Sequence, residues 1–283
     1  MAAVTDRVTV PMIRTSKRRE GHEPLVMITA YDEPFARLVD AAGVDLILVG
    51  DSLAEAVLGY PSTLEVGIED MAHHVGAVAR AQPRALVVGD MPWMSYHTEP
   101  FEAVRNAAKL VRAGAGAVKL EGGVKRLAAV EAIISAEIPV MAHLGLTPQS
   151  VHAMGGYRVQ GRAVTAAEAL VEDAKALVAA GCFAVVLEGV PDVLATKVTA
   201  EIDVPTIGIG AGPSCDGQVL VIHDMLSMGN RPTPKFVRRY ANVGEIVTEA
   251  VAAYAADVRI GSFPADEESY HGSAELKERF VGS

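Results

Sequence analysis

The 283-residue sequence is poor in several residue types, and each scarcity argues against a class of protein. Two cysteines, Cys182 and Cys215, stand far apart without metal-ligand spacing, so no disulfide framework is predicted. No apolar run approaches the roughly 18 residues of a membrane-spanning helix, and the N-terminal stretch lacks the apolar region of a secretory leader. Basic residues number 25 against 35 acidic ones, and the resulting charge of −10 disfavours nucleic acid and anionic membranes as partners. We therefore predict a soluble, cytoplasmic protein.

Apolar residues, by contrast, make up half of the chain and recur in short runs from residue 25 onward. Each run is followed by polar or glycine-rich residues and then by a stretch with helical spacing. The runs are residues 25–29, 46–49, 85–88, 117–120, 139–143, 184–187, 205–209 and 220–222. They are apolar throughout rather than alternating, which is typical of parallel strands covered on both faces. Eight such units predict an α/β fold, a single-domain (β/α)8 TIM barrel, with a doubly wound open sheet as the alternative.

The domain organisation follows from the same pattern, because no linker or change in composition interrupts it before about residue 262. Residues 1–24 precede the first strand, and we expect them to pack on the barrel. Residues 25–263 form the predicted catalytic barrel, and residues 264–283 a polar C-terminal tail.

Three acidic residues end or closely follow consecutive predicted strands: Asp51, Asp90 and Glu121. Active sites of such barrels lie at the carboxyl ends of the strands, and neighbouring strands are only about 4.8 Å apart, so the three carboxylates can converge. Together they would repel one another unless a cation lay between them. Oxygen ligands without cysteine or paired histidine favour Mg2+. Alternatively, each carboxylate caps the next helix or pairs with a nearby base.

Three further residues at strand ends could carry chemistry. Lys119 lies two residues before Glu121, so both side chains face the barrel interior, where a lysine needs an anionic partner. That partner could be structural or functional, and the amine could also form a Schiff base. His143 could donate to a developing oxyanion or be an ordinary interior histidine. Glu188 could be a general base or a partner for a helix N-terminus.

Two other patterns are less specific. The glycine-rich residues 208–212 could cradle a phosphate, but close packing of a loop against the barrel explains the glycines equally simply. Residues 91–96, rich in methionine and aromatic side chains, could wall a pocket or belong to the core.

Several longer motifs resemble one known family. They are residues 28–32 (ITAYD), 49–53 (VGDSL), 118–123 (VKLEGG), 143–150 (HLGLTPQS), 155–162 (GGYRVQGR) and 207–212 (IGIGAG). The family is ketopantoate hydroxymethyltransferase (3-methyl-2-oxobutanoate hydroxymethyltransferase), and the resemblance extends from about residue 25 to 265. The sequence departs from the usual family pattern at Glu55, Ala142 and Gly189. These positions lie beside the site residues, so the departures bear on the shape of the pocket.

The resemblance implies a Mg2+-dependent transfer of a hydroxymethyl group from 5,10-methylenetetrahydrofolate to 3-methyl-2-oxobutanoate. The product would be 2-dehydropantoate, in pantothenate biosynthesis, and the expected partners are this small 2-oxo acid and the folate. Family members are typically decamers, so a homo-oligomer is expected.

The resemblance also implies a role for each site residue. Glu188 matches the proton acceptor of the reaction. The expected metal-site residues, acting directly or through water, are Asp51, Asp90 and Glu121. The expected substrate-binding residues are Asp51, Ser52, Asp90, Lys119 and His143.

Two other functions share part of this sequence pattern. A Mg2+-dependent carbon–carbon lyase of the isocitrate lyase or phosphoenolpyruvate mutase type would share the barrel and a 2-oxo acid. Such lyases carry a reactive cysteine near the middle of the chain, and residues 118–143 contain none. A non-catalytic barrel scaffold would have no need for converging carboxylates.

Overall fold

The computed structural model describes residues 7–229 and 232–281. Within these ranges, eight parallel strands close into a barrel in sequence order, and the last strand pairs with the first. The strands are β1 (Leu25–Thr29), β2 (Leu46–Val49), β3 (Leu86–Asp90), β4 (Ala117–Glu121), β5 (Val140–Gly145), β6 (Ala184–Glu188), β7 (Thr206–Ile209) and β8 (Gly217–Leu220). The predicted (β/α)8 barrel is therefore confirmed, and the open sheet is wrong.

Most of the helices connect the strands and pack on the outside of the barrel. In the described ranges the helices are α1 (Val10–Arg14), α2 (Glu33–Ala41), α3 (Leu53–Ala56), α4 (Ile68–Arg80), α5 (Pro100–Ala113), α6 (Leu127–Ser135), α7 (Val151–Met154), α8 (Val164–Ala179), α9 (Asp192–Glu201), α10 (Ile222–Met225), α11 (Val243–Ile260) and α12 (Ala274–Val281). Between β7 and β8 the chain, described throughout, has only a loop at residues 210–216. None of the described helices is both long enough and apolar enough to cross a membrane.

The eighth strand was predicted at residues 220–222 but lies at Gly217–Leu220, and α10 already begins at Ile222. The strand begins with glycine because a Cβ atom there would lie only 2.5 Å from the carbonyl oxygen of Leu25 on β1. Gln218, the next residue, is exposed. The prediction from short apolar runs therefore missed the first three of the four residues of this strand.

The barrel interior is apolar toward its amino-terminal end, and the N-terminal segment closes that end. Alternation along each strand directs Leu46 and Leu48 of β2 inward, whereas their neighbours pack against the helices. Val8 and Ile13 are buried against the inward-facing side chains. Lys17 is also buried, and its Nζ donates to Asp216 Oδ2 at 2.8 Å. The opposite, carboxyl-terminal end of the barrel is left open for a site.

The C-terminal part of the chain is much more exposed than the barrel. No residue of α11, a helix that lies wholly within the described ranges, is buried. Its exposed side chains include large apolar ones, among them Ile246, Val251 and Tyr254. Within the predicted polar tail, residues 274–281 form α12.

Candidate functional site

A cavity of about 1400 Å3 opens at the carboxyl-terminal end of the strands. Every site residue predicted from the sequence lines it: Asp51, Ser52, Asp90, Lys119, Glu121, His143 and Glu188. These charged side chains at the strand ends form the floor of the cavity, and further lining residues from the loops after the strands form its upper wall.

The strand geometry explains why these side chains meet. In β4, residues Lys119 and Glu121 are two apart and both face the interior, as predicted. The register pairs Asp90 of β3 with Lys119, and Glu121 with His143 of β5. Inward-facing positions near the carboxyl ends of adjacent strands therefore form a continuous polar region at that end of the barrel.

Lys119 is surrounded by acidic groups. Its Nζ lies 2.9 Å from Asp90 Oδ1 and 3.2 Å from His143 Nδ1. Burial lowers the pKa of Lys119, but the charges of Asp90, Glu121 and Asp51 outweigh burial and raise the pKa above its ordinary value. These acidic neighbours favour the protonated amine, whereas a Schiff base requires a neutral one, so the surroundings of Lys119 do not favour the Schiff-base alternative.

The three carboxylates differ in their titration. Burial, reinforced by the neighbouring carboxylates, raises the pKa of Asp51 well above its ordinary value. Burial also raises the pKa of Asp90, against the opposing effect of Lys119. At Glu121 the effect of burial is outweighed by His143 and Lys119, and the pKa is lowered. At Asp51 and Asp90 the positive charge of Lys119 does not outweigh burial, and a bound cation would supply further positive charge.

His143 bridges two acidic residues. Its Nδ1 is 3.4 Å from Glu121 Oε1, and its Nε2 is 3.2 Å from Glu188 Oε2. Burial and the Lys119 charge lower the pKa of His143, but the two glutamates outweigh them and raise it to about 9. The Glu188 side chain keeps 16% of its surface exposed, compared with 2% for Glu121. Glu188 is therefore the acidic group of this pair that a molecule in the cavity can reach.

The donor set fits an open site for a hard divalent cation. Asp90 Oδ1 and Glu121 Oε1 are buried and have no well-directed hydrogen bond, although each lies within ion-pair distance of a base. Among the described residues, no group of three or more His, Cys, Asp or Glu side chains is placed so that it could hold a metal ion. Mg2+ commonly uses one or two carboxylates and completes its shell with water and substrate oxygens, so a complete cage is not required.

Three residues whose side chains form hydrogen bonds at the site were not assigned a role from the sequence. Tyr31 OH lies 2.9 Å from Ser52 Oγ. Gln149 donates to Asp51 Oδ2 at 2.9 Å, and Tyr96 donates to Gln149 Oε1 at 2.6 Å. Gln149 lies in the 143–150 motif and Tyr96 in the 91–96 segment, but single polar residues in loops have no spacing that reveals their partners.

The glycine-rich residues 208–212 are explained by close packing. A Cβ atom at Gly210 would lie 2.7 Å from the Phe236 ring, and one at Gly212 would lie 2.6 Å from Asp192 Cβ. Both glycines also have positive φ values, which other residues rarely adopt. These contacts favour the packing explanation over a phosphate cradle.

Solved structures with a similar fold are enzymes of low sequence identity. A 2,3-dimethylmalate lyase, described as a member of the PEP mutase/isocitrate lyase superfamily, is 19% identical with a TM-score of 0.59, covering 96% of this chain and 94% of the lyase. A phosphonopyruvate hydrolase in complex with oxalate and Mg2+ is 14% identical with a TM-score of 0.60, covering 95% of this chain and 94% of the hydrolase. At these identities the similarity establishes the barrel fold alone.

Sequence relatives are much closer and agree on one family. The sequence profile described as ketopantoate hydroxymethyltransferase matches residues 7–266. The 3-methyl-2-oxobutanoate hydroxymethyltransferase of Syntrophomonas wolfei is 55% identical over 96% of this chain and 99% of the relative. The enzyme of the same name from Ignicoccus hospitalis is 58% identical over 88% of this chain and 95% of the relative. The chain is therefore an enzyme that belongs to the ketopantoate hydroxymethyltransferase family.

Proposed function

We propose that this protein transfers a hydroxymethyl group from 5,10-methylenetetrahydrofolate to 3-methyl-2-oxobutanoate and forms 2-dehydropantoate for pantothenate biosynthesis. One observation carries the proposal beyond family membership. The cavity floor brings an accessible carboxylate, Glu188, to the same point as two cationic side chains, Lys119 and His143. Removal of a proton beside a ketone requires a base on one side and positive charge near the oxygen on the other.

We propose Mg2+ as the metal, held by Asp51 and Asp90, with Glu121 acting directly or through a water molecule. When bound, Mg2+ would supply Lewis acidity toward the keto oxygen of the substrate. Four carboxyl groups, counting Glu188, face only two bases in this cluster, and a divalent cation would offset that acidic excess.

The chain's own residues account for binding and for proton transfer. Asp51, Ser52, Asp90, Lys119 and His143 are proposed to bind the 2-oxo acid. Glu188 takes the proton from C3, and the C–H electron pair moves toward the keto oxygen, where the cations of Lys119 and His143 stabilise the negative charge. C3 then bonds to the one-carbon unit of the folate; one water is consumed, and tetrahydrofolate is released.

The size of the cavity supports a second, larger substrate. Its volume of about 1400 Å3 exceeds the roughly 300–1,000 Å3 typical of a pocket for one drug-sized ligand. The upper wall includes Tyr157, Val159 and Phe236, which remain partly exposed. Apolar and aromatic surface of this kind is suited to the flat ring system of a folate.

The decisive experiment follows exchange of the C3 proton of 3-methyl-2-oxobutanoate for deuterium by NMR, with Mg2+, and with or without tetrahydrofolate. We expect exchange by the wild-type protein and strong suppression in Glu188→Gln, with binding of Mg2+ and of the oxo acid retained. Asp51→Ala should instead raise the Mg2+ concentration needed for half-maximal exchange. Absence of exchange under every condition would exclude the transferase, and cleavage of a carbon–carbon bond in a 2-oxo acid would favour the lyase alternative.

We propose further that the protein is a homo-oligomer, a decamer by its family resemblance. In a (β/α)8 barrel a helix normally covers the outside of each strand pair. Here Val26 on the outer face of β1 is 50% exposed beside the exposed Gln218 of β8, while the apolar residues of α11 are themselves exposed. A second copy that laid its α11 against the β1–β8 wall would bury both surfaces.

Light scattering during size-exclusion chromatography tests this proposal. We expect an assembly of about ten chains, and we expect Val251→Asp on α11 to reduce its size. Glu249→Gln, a polar change on the same helix, is the matched control. A wild-type protein that stayed monomeric at all concentrations would exclude the proposal.

We also propose that the reaction takes place in the cytoplasm. Both cysteines are free and buried, and burial raises the pKa of the Cys182 thiol to about 12. Unpaired thiols are usual in a reducing compartment. Fractionation of cells followed by immunodetection tests the assignment, and recovery with an extracytoplasmic fraction would contradict it.

A further inference from the structure

Gln149 is a neutral, buried amide in the middle of the acidic cluster. It lies in the turn Pro148–Ser150 after β5, and its side chain is only 5% exposed. Its Nε2 donates to Asp51 Oδ2 at 2.9 Å and to the carbonyl oxygen of Met91 at 3.0 Å. Its backbone N–H donates to Glu121 Oε2 at 3.1 Å. One residue from the fifth strand end thus contacts the ends of β2, β3 and β4.

Tyr96 fixes the orientation of this amide. The backbone N–H of Glu121 donates to Tyr96 OH at 3.1 Å, so the hydroxyl proton is free to donate to Gln149 Oε1, at 2.6 Å. A reversed amide would place Oε1 against two acceptors, the Asp51 carboxylate and the Met91 carbonyl. The NH2 group of Gln149 must therefore face Asp51, and both of its protons are used.

The result is a common pattern at the three carboxylates. One oxygen of each accepts a hydrogen bond: Asp51 Oδ2 and Glu121 Oε2 from Gln149, and Asp90 Oδ2 from the Asp51 backbone N–H at 3.1 Å. On the other side, Asp90 Oδ1 and Glu121 Oε1 lack well-directed hydrogen bonds. The hydrogen bonds restrain the rotation of the three carboxyl groups. They leave Asp90 Oδ1 beside Lys119 and Glu121 Oε1 beside His143, each at ion-pair distance but without a well-directed donor.

We propose that Gln149, held in place by Tyr96, is a positioning residue for the divalent cation: it restrains Asp51 and Glu121 so that each presents a single oxygen toward the metal. This inference rests on the proposed Mg2+ site. An amide suits the task because it donates to a carboxylate without adding charge, whereas a lysine or arginine would repel the cation. Residues that orient metal ligands in this way typically change metal affinity by about 10–100-fold when they are replaced.

The test measures affinity for Mn2+ and Mg2+ by isothermal titration calorimetry on the full-length protein without the 2-oxo acid. Gln149→Met keeps the length of the side chain but removes its hydrogen bonds, and we expect Kd to rise at least tenfold. Tyr96→Phe removes the hydroxyl that orients the amide and that also accepts from the Glu121 backbone N–H, and we expect a smaller rise of several-fold. Because Tyr96 acts through Gln149, adding Tyr96→Phe to Gln149→Met should change Kd less than it does in the wild type.

Thr206→Val is the matched control, since Thr206 is buried and hydrogen-bonded to Asp216 at the opposite end of the barrel. It should lower stability without changing Kd. A Gln149→Met protein with Kd within twofold of the wild type would overturn the inference, as would an unchanged Kd in Tyr96→Phe if Gln149→Met failed to fold. Absence of metal binding by the wild type would instead overturn the proposed Mg2+ site itself, so the two failures are distinguishable.

Discussion

Replacing Lys17 tests how much its buried ammonium group contributes to stability at the closed amino-terminal end of the barrel. The side chain is 1% exposed, and its Nζ donates to Asp216 Oδ2 at 2.8 Å and to the carbonyl oxygens of Thr199 and Val204 at 2.7 and 3.2 Å. These contacts connect the N-terminal segment to the region around β7 and β8. We predict that Lys17→Met destabilises the protein strongly without altering the cavity at the other end.

The magnitude follows from what the substitution leaves behind. Removing one partner of a buried ion pair typically costs about 3–5 kcal/mol, because the other charge remains buried and unpaired. Asp216 keeps hydrogen bonds from two backbone N–H groups, at 2.9 Å each, which moderates the cost. The two carbonyl groups lose a donor, at about 0.5–1.5 kcal/mol for each hydrogen bond, which offsets that moderation. We therefore expect a loss of about 3–5 kcal/mol in the free energy of unfolding.

Urea unfolding followed by circular dichroism, at one fixed protein concentration, measures this loss. Arg19→Met is the control, because the Arg19–Asp203 pair at 2.7 Å is largely exposed and such pairs contribute about 0–1 kcal/mol. Adding Asp216→Asn to Lys17→Met should restore part of the stability, since no unpaired charge would then remain buried. A loss below about 1 kcal/mol for Lys17→Met would refute the reasoning.

Three other predictions concern separate features. Burial raises the pKa of Cys182 to about 12, so the native protein should leave this thiol unmodified by iodoacetamide at pH 8; rapid alkylation, detected by mass spectrometry, would contradict that expectation. Hydrogen bonds from two lysines lower the pKa of Glu201 to about 2 from 4.5, so its contribution to stability is present above pH 4.5 and lost as the pH falls toward 2. The difference in urea midpoint between wild type and Glu201→Gln should shrink over that interval, and a constant difference would argue against the shift. Gly145 has a φ of +96°, and a Cβ atom there would lie 2.2 Å from the carbonyl oxygen of Glu188. Gly145→Ala should therefore lower both the melting temperature and the rate of C3 exchange. An unchanged exchange rate would mean that Glu188 tolerates the displacement.

The parts of the fold that were predictable are those in which burial alone determines the residue type. The strands Leu25–Thr29 and Leu46–Val49 were predicted with the bounds that the structure has, because interior strands of a barrel are apolar on both faces. The eighth strand was misplaced because a close approach to β1 requires glycine at 217, so the local sequence reports a steric constraint rather than burial.

The charged residues of the candidate site were predictable, whereas the neutral residues that contact them were not. The spacing of Lys119 and Glu121, and the position of each acidic residue at a strand end, placed the charged groups in one cavity. Gln149 and Tyr96 could not be found in this way, because their partners are distant in the sequence. Asp51 lies 98 positions from Gln149 along the chain, and Tyr96 lies 53 positions from it. Such contacts form only when the closed barrel brings the different strand ends together.

The closed amino-terminal end of the barrel affects the order in which substrates bind and products leave. Val8 and Ile13 seal the barrel beneath the apolar layers, so the polar floor is reached through the mouth at the carboxyl-terminal end of the strands. In the proposed reaction the small oxo acid occupies that floor and the larger folate lies above it. The oxo acid must then enter first, and its product must leave last. For the proposed pair of substrates, a barrel sealed at one end therefore predicts an ordered sequence of binding and release.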